Sequence, residues 1–376
     1  MRLNRIAATL SLAFIATSCS TFHRTETPIQ PVTPNASPEA VELLKFIYSI
    51  SGRHTLTGQH NFPNTRDSST LQAIRIYGKV PAIFGQDFGF AAAGDKDSVA
   101  ARPDIIAEVK RQYANGAIIT LCWHAVPPTA DEPVTFRPRP GTPTNRLASV
   151  QGRLTDEQWK DLLTPGTELH NRWCAQVDVI AGYLKELQAA HIPVLWRPYH
   201  EMNGEWFWWG GRRGKHGTQA MYRQIFDRLV HYHHINNLVW IWSVDRPSTP
   251  NRQFADYFPG RKYFDIAALD VYRSDFKQSY YDDLLKLAAG KPVTLAEVGP
   301  APTLAILEQQ PQWCWWMTWA GLTAGRPNVN TNAFLTLVNS PRSWSLSDPG
   351  YQEAITPLRT ISGLPPLNGA ARSVSQ

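Results

Sequence analysis

Two glutamates, Glu201 and Glu297, follow apolar runs of the kind that form buried strands, at residues 192–201 and 292–299. Two carboxyl groups about 5 to 5.5 Å apart can hydrolyse a glycosidic bond with retention, one protonated to assist the leaving oxygen and one ionised to attack the anomeric carbon. A single glutamate at a strand end can equally be a salt-bridge partner or a helix cap. The pair indicates this chemistry only if the fold brings both side chains to one site.

The elements that would position these glutamates alternate regularly along the chain. Apolar runs lie at residues 55–60, 80–88, 116–124, 192–201, 238–245, 265–272, 292–299 and 313–321, with amphipathic helical patterns at 105–113, 173–188, 219–232 and 280–288. Strands alternating with helices imply a parallel sheet. Eight strands close a (β/α)8 barrel, whereas a doubly wound sheet usually has fewer strands and a Gly-rich phosphate turn after the first, which is missing here. We predict an α/β fold, a (β/α)8 TIM barrel.

Active sites of such barrels form at the carboxyl ends of the strands. The predicted strand ends carry His60, Asp87, Phe88, Trp123, His124, His200, Glu201, Asp245, Asp270, Tyr272, Glu297 and Trp319. A long proline-containing loop, residues 127–166, follows the third strand, and long loops inside compact domains usually shape a binding site. Glu201 and Glu297 would end the fourth and seventh strands, so they can face each other across the mouth of the barrel.

The segment 196–210, WRPYHEMNGEWFWWG, closely resembles the acid/base signature of glycoside hydrolase family 26, whose best-known members are endo-β-1,4-mannanases. Shorter segments agree with the same family at residues 56–60, 123–124, 270–272, 296–299 and 316–319. The match around Glu201 is long and specific. The resemblance implies a catalytic (β/α)8 barrel, here placed at residues 38–364.

The resemblance also implies roles for individual residues. Glu201 would be the acid/base and Glu297 the nucleophile. His200 stands where related barrel families place Asn, and Tyr272 would hydrogen-bond the nucleophile. The implied substrate-binding residues are His124, Trp123, Trp206, Trp319 and Asn203, with Trp206 an aromatic platform and Trp319 the floor under the reacting sugar. An apolar, Trp-lined setting would keep Glu201 protonated, because burial disfavours the charged form of a carboxyl group.

The implied reaction is double-displacement hydrolysis of mannan, galactomannan or glucomannan within the chain. Some members of the family cut mixed-linkage β-glucan or β-1,3-xylan instead, and the signature does not separate these substrates. A different class of function is a surface lipoprotein that binds polysaccharide without cutting it. Such proteins typically lose a catalytic carboxylate, whereas Glu201 and Glu297 are both present. We therefore expect an enzyme that acts on β-mannan.

Composition agrees with a neutral polysaccharide as the partner. The chain has 14 Trp and 13 Tyr but only 18% charged residues, and aromatic faces stack on sugar rings. The formal net charge of +6 becomes +4 without Arg2 and Arg5, and the basic residues are scattered, which argues against nucleic acid. We expect a monomer.

Neither a cofactor nor a metal ion is expected. His200 and Glu201 could begin a zinc-protease helix, but that motif needs a second histidine at position 204, which is Gly204. No CxxC pair is present to build a structural zinc site. His231, His233 and His234 cluster near a predicted helix end, where imidazoles more often meet the helix dipole or solvent than a metal.

The N-terminus has the features of an exported lipoprotein. Residues 1–19 combine Arg2 and Arg5 with an apolar stretch and small residues before Cys19, which resembles a lipobox in which that cysteine is acylated. Ser20 in place of Asp points to the outer membrane of a Gram-negative cell, and the only expected membrane contact is this anchor. The alternative is an ordinary signal peptide with an incidental cysteine and a periplasmic or secreted protein. Residues 20–37 are predicted to be a flexible tether and 365–376 a disordered tail.

The remaining cysteines are Cys122, Cys174 and Cys314. This odd number permits at most one internal disulfide in an oxidising compartment. The sequence does not choose among the three pairings.

Overall fold

A computed structural model describes residues 28–89, 99–141, 143, 146–321 and 331–367. The predicted signal peptide, its lipobox and Cys19 therefore lie outside the described residues.

Eight parallel strands close into a barrel, which confirms the predicted fold. Each strand pairs with the next along the chain, and the eighth pairs with the first. The strands are β1 (Thr55–His60), β2 (Ile83–Asp87), β3 (Ile118–Trp123), β4 (Val194–Pro198), β5 (Leu238–Asp245), β6 (Ile266–Val271), β7 (Val293–Val298) and β8 (Trp313–Thr318). Every residue of these strands is buried, because helices cover the outside and side chains fill the inside. The short strand β9 (Ser343–Trp344) adds a parallel partner to β1.

Amphipathic helices pack around the barrel. They are α1 (Pro38–Ile50), α2 (Ser68–Tyr77), α3 (Arg102–Ala114), α4 (Asp156–Leu162), α5 (Glu168–Ala189), α6 (Thr218–Asp227), α7 (Gln278–Ala288), α8 (Leu304–Gln309), α9 (Thr331–Val338), α10 (Pro349–Ala354) and α11 (Thr356–Ile361). The four predicted helical patterns correspond to α3, α5, α6 and α7. The third pattern, at residues 219–232, ends as a π-helical turn, Arg228–Tyr232. In this turn each backbone hydrogen bond spans one more residue than in an α-helix.

The long loop after β3 is more ordered than its composition predicts. It contains α4, whose start is held by reciprocal hydrogen bonds between Thr155 and Gln158. A bridge between Gln151 and Phe207 joins it to the loop after β4. The two loops therefore form one wall beside the mouth of the barrel.

The predicted tether is wrong for residues 28–37, which pack against the barrel. The backbone N–H of Val32 donates to a carboxylate oxygen of Asp265 at 2.7 Å, and the indole of Trp240 donates to Thr33 Oγ1 at 3.1 Å. Thr33 is buried. The lack of periodicity correctly indicates no helix or strand here, but hydrogen bonds to buried barrel residues order the segment without either.

The predicted tail also begins too early. Arg359 donates to the carbonyl of Pro365 at 2.7 Å, and Leu367 packs on the core. Residues 368–376 lie outside the described range. The cysteines at 122, 174 and 314 are all free thiols. None of the helices in the described ranges has the length and apolarity needed to span a bilayer.

Candidate active site

Glu201 and Glu297 both lie at the carboxyl end of the barrel and are almost completely buried, with 7% and 5% of their surfaces exposed. Glu297 lies within β7, where the register with β6 shifts between Leu269 and Asp270. Glu201 follows β4 in an irregular turn. Tyr199 and Glu201 both adopt positive φ angles, of 48° and 50°, a strained conformation for residues with side chains that is common at functional sites.

The carboxylate of Glu297 is held by two donors. Arg197, from β4, donates to its Oε2 at 2.8 Å, and the phenol of Tyr272 donates to its Oε1. Arg197 also donates to Asp270 Oδ2 at 2.8 Å, and Ser243 donates to the same carboxyl group. A guanidinium and a phenol aimed at one carboxylate favour its ionised, attacking form.

The carboxyl group of Glu201 has the opposite environment. Burial raises its pKa well above the usual range, and the nearby carboxyl groups of Glu297, Asp270 and Asp245 raise it further. The indole Nε1 of Trp206 donates to Glu201 Oε2 at 2.6 Å, which offsets part of this rise. Glu201 is therefore suited to hold a proton and deliver it.

Two aspartates complete the acidic centre. Burial raises the pKa of Asp270 well above its usual range, although Arg197 opposes the rise. Asp245 ends β5, and burial raises its pKa to about 6, with Arg246 opposing. Carboxyl groups packed this closely cannot all ionise together, so the centre holds protons near neutral pH.

Imidazoles and aromatic rings form a second wall. The ring of His124 bonds Asp87 and meets the edge of His200 at 4.5 Å between ring centroids. Burial lowers the pKa of His200 well below its usual value, so this ring is neutral. Trp319 stacks on His60 at 3.7 Å, and burial lowers the pKa of His60 to about 3. A neutral, flat surface of this kind fits the apolar face of a sugar ring.

Trp206 belongs to the wall formed by the loops after β3 and β4. Its ring is half-buried, its carbonyl accepts a hydrogen bond from Gly152 N at 3.0 Å, and the guanidinium of Arg252 lies 4.9 Å from the ring centroid. The N–H edge of the Trp206 indole therefore bonds Glu201, and one face of its ring lies against the guanidinium of Arg252. Its orientation is fixed by neighbours on three elements.

Two of the predicted substrate contacts, Asn203 and Trp123, are buried in the structure. Asn203 is fully buried, and its amide bonds only backbone: Nδ2 donates to the carbonyls of Asp245 at 2.6 Å and Arg252 at 3.0 Å, and Oδ1 accepts from Asp245 N at 2.7 Å. Trp123 is 2% exposed and packs near Tyr199 in the core. Asn203 therefore ties two loops together, and Trp123 packs at the carboxyl end of β3, so a substrate contact for either stays a prediction.

Two residues of the site, Arg197 and Arg252, were not predicted from the sequence. Arg197 could have been found, because a charged residue inside an otherwise apolar strand must have a buried partner. Arg252 gave no such signal, since it lies in a loop with no motif.

Within the described residues, one group of side chains has metal-ligand chemistry, comprising His60, Asp87 and Cys122, with ligand atoms within 4.8 Å of one another. The oxygens of Asp87 accept bonds from His124 and Gly89 N. The thiol of Cys122 donates to the carbonyl of Gln86. Hydrogen bonding therefore already uses two of the three ligand groups.

Comparisons with known proteins agree with this geometry. The sequence profile of glycosyl hydrolase family 26 matches residues 32–347. A mannan endo-1,4-β-mannosidase of Thermothelomyces thermophilus is 30% identical over 81% of this chain, which spans 60% of that relative's length. A mannan endo-1,4-β-mannosidase of Bacillus subtilis is 29% identical over 72% of this chain and 74% of its own.

Solved structures show the same relationship. GH26A from Muricauda sp. MAR_2010_75 superposes with a TM-score of 0.76 and 40% identity, covering 84% of this chain and 98% of that one. A GH26 β-(1,4)-mannanase from Podospora anserina, solved with its CBM35 module, superposes with a TM-score of 0.70 and 26% identity, covering 88% and 70%. The chain therefore belongs to glycosyl hydrolase family 26.

Proposed function

We propose that the protein is a retaining endo-β-1,4-mannanase in which Glu201 is the acid/base and Glu297 the nucleophile. The observation that carries this proposal is the contrast between the two carboxyl groups. Glu297 has Arg197 and Tyr272 as donors, whereas burial and neighbouring carboxylates favour the protonated form of Glu201. The relatives are mannan endo-1,4-β-mannosidases by name, which supports mannan as the substrate.

The reaction has two displacement steps. Glu297 Oε attacks the anomeric carbon while Glu201 gives its proton to the departing glycosidic oxygen, which leaves as the hydroxyl of the reducing-side fragment. Water then attacks the glycosyl-enzyme ester, Glu201 takes a proton from that water, and Glu297 is released as a carboxylate. Trp319 would lie under the reacting sugar, and Trp206 would stack on the neighbouring one.

The test is hydrolysis of mannan, galactomannan, lichenan and β-1,3-xylan by the purified protein, followed by reducing ends and product lengths. Mannan and galactomannan should be cut to mixed oligosaccharides, and proton NMR should show the β-anomer first. Turnover of lichenan or β-1,3-xylan alone would overturn the mannan assignment. An α-anomer as the first product would refute retention, and no activity on any polymer would favour a binding protein.

We also propose that the protein is exported and anchored through an acylated Cys19, with the barrel outside the inner membrane. The basic start, apolar stretch and small residues before Cys19 support this proposal. Metabolic labelling with a palmitate analogue tests it, because Cys19→Ala should lose the label. Equal labelling of both chains would overturn the assignment of the anchor to this cysteine.

A further inference from the structure

The loops that lead from a helix into the next strand form what we call the bottom face, opposite the catalytic mouth. They comprise residues 51–54, 78–82, 115–117, 190–193, 233–237, 260–265, 289–292, 310–312 and 339–342. Their ionisable side chains are Arg53, His54, Lys79, His191, His233, His234, Arg261, Lys262, Asp265, Lys291 and Arg342. Asp265, the one acid in these described loops, is buried. These loops therefore carry more basic groups than acids, although acids on neighbouring helices pair with some of them: Glu39 with His191 at 2.7 Å and Asp178 with His233 at 2.6 Å.

Some of this charge is already used within the protein. Lys79 pairs with Asp348 at 2.8 Å, and Arg342 donates to the carbonyls of Gly52 and Arg53. Arg53, Arg261 and Lys262 are exposed, and Arg261 also donates to the carbonyls of Leu287 at 3.1 Å and Lys286 at 3.4 Å. These three cations are therefore accessible to an external anion.

An exposed aromatic ring lies at the edge of the same face. Tyr232 ends the π-helical turn just before the loop 233–237 and has 62% of its surface exposed, with the guanidinium of Arg228 at 3.9 Å from its ring centroid. An amphipathic tyrosine ring beside cations is the combination found at the boundary between a membrane and water.

The ordered N-terminal segment lies on this face as well. Val32 bonds Asp265, which directly precedes β6, and Asn35 accepts from Asn236, which precedes β5. Arg261 and Lys262 belong to the same loop as Asp265. The described chain thus enters the barrel beside the exposed cations.

The distance to the proposed anchor is short. Fully extended, the residues between Cys19 and Pro28 reach about 30 Å. A domain of this size is roughly 50 Å across, and a path around it to the catalytic mouth would be longer still. An acylated Cys19 would hold the bottom face, rather than the mouth, next to the lipid.

We propose that the bottom face is a membrane-contacting surface that binds anionic phospholipid headgroups through Arg53, Arg261 and Lys262, so that the catalytic mouth points away from the bilayer. The proposal rests on the anchor at Cys19 proposed above for orientation, but its charge complementarity stands independently. Basic side chains near an anionic surface each favour binding, and the attraction is screened by salt.

The surface is tested with a chain that begins at Ser20, which lacks both the apolar leader and Cys19, and vesicles with or without phosphatidylglycerol. Binding should require phosphatidylglycerol and disappear at high salt. Reversing two charges with Arg261→Glu and Lys262→Glu should weaken it at least about tenfold. The matched control is Arg137→Glu with Lys215→Glu, on loops of the catalytic face, which should bind as before. Binding that ignores phosphatidylglycerol, or falls equally in the control, would overturn the proposal.

The anchor and the orientation have separate measurements. Unsubstituted chain made in a lipoprotein-processing host should stay on vesicles at high salt, whereas the chain that begins at Ser20 should be released. Release of both would overturn the anchor while leaving the charge result intact. Vesicle-bound chain should hydrolyse soluble galactomannan as fast as the released form. A large loss of activity on binding would place the mouth against the membrane and overturn the orientation. The activity of the released form measures catalysis independently of membrane binding.

Discussion

Glu201 and Glu297 occupy the same buried centre, but their hydrogen-bond partners differ in a way that divides the chemistry between them. Arg197 and Tyr272 donate to Glu297, while the indole of Trp206 donates to Glu201. A carboxyl group that must give up a proton needs an environment that makes the charged form costly. A carboxylate that must attack needs compensation for its charge.

The two carboxyl groups should respond differently to removal. Glu297→Ala should abolish turnover of every substrate, because no covalent intermediate can form. Glu201→Ala should lower kcat/KM on mannan by about 10² to 10⁴, the usual contribution of general acid catalysis, but spare the first step on an aryl mannoside with an activated leaving group. Stopped-flow release of the phenol measures that step. Equal losses on both substrates would contradict the assignment of Glu201.

Trp206 should set the alkaline limit of activity. Its hydrogen bond favours the ionised form of Glu201, so Trp206→Phe removes that effect and should raise the pKa of the acid further. The alkaline limb of kcat/KM against pH should therefore move to higher pH, measured on a short soluble mannooligosaccharide. Trp159→Phe is the control, because the indole of Trp159 donates to the carbonyl of His216 at 2.9 Å instead of to Glu201. A limb that moves to lower pH, or stays in place, would show that the indole does not tune this proton.

Among single residues, the sequence predicted the acids better than their surroundings. Glu201 and Glu297 could be found because each follows an apolar strand. Asn203 lies two positions from Glu201 in a family motif, which made a substrate contact plausible, but its buried amide bonds only backbone. Motif membership does not separate residues that touch substrate from residues that hold the motif in shape.

At the scale of elements, β4 carries much of the site through one residue. Arg197 bridges Asp270 on β6 and Glu297 on β7, and it is 1% exposed. Removing it would leave buried carboxylates without a counter-charge. We expect Arg197→Met to cost about 3 to 5 kcal/mol of unfolding free energy at neutral pH. Urea unfolding measures this.

Arg197→Lys is the matched variant, since it keeps the charge but not the two-pronged geometry. It should recover part of the stability while activity stays low. If Arg197→Met unfolds with the same free energy as the unsubstituted protein, the ion pairs of Arg197 do not stabilise the fold.

The loops after β4 and β5 are joined by Asn203. Asn203→Ala would break its bonds to Asp245 and Arg252 and leave buried carbonyl and N–H groups unpaired, at a cost of about 3 kcal/mol. Thermal unfolding should show a clear drop in Tm. The exposed Asn171→Ala is the control and should stay within about 0.5 kcal/mol. A decrease in Tm for Asn203→Ala no larger than that for the control would mean that the Asn203 amide does not stabilise the two loops.

The order of strands and helices was predictable, because apolar residues recur with different periods in strands and in helices. Eight strand–helix repeats are also the number that closes a barrel. Details at element ends were not. The left-handed turn at Tyr199 and Glu201, and the π-helical turn before β5, depend on tertiary contacts that leave no local signature.

At the scale of the whole molecule, residues 28–37 belong to the barrel. A chain beginning at residue 38 should have a lower Tm than one beginning at residue 28, because Asp265 and the indole of Trp240 lose partners. Specific activity on mannan should be unchanged, since the segment lies at the bottom face. Thr33→Val is the finer variant, with a loss of about 1 kcal/mol. Equal Tm values for the two chain lengths would show that the segment does not stabilise the fold.

Composition indicated a disordered tether for these residues, and nothing local could have corrected that expectation. The partner of Val32 is a buried aspartate 233 positions away in sequence. Contacts at that separation appear only when the barrel is assembled.

The described chain begins and ends at the same side of the barrel. Val32 bonds Asp265 at the bottom face, and the side chain of Leu367 lies against Gly116 in the loop before β3. A solid support, tag or binding module attached at residue 28 or residue 367 would therefore lie at the bottom face. The catalytic mouth, on the opposite side, would stay open to long polymers.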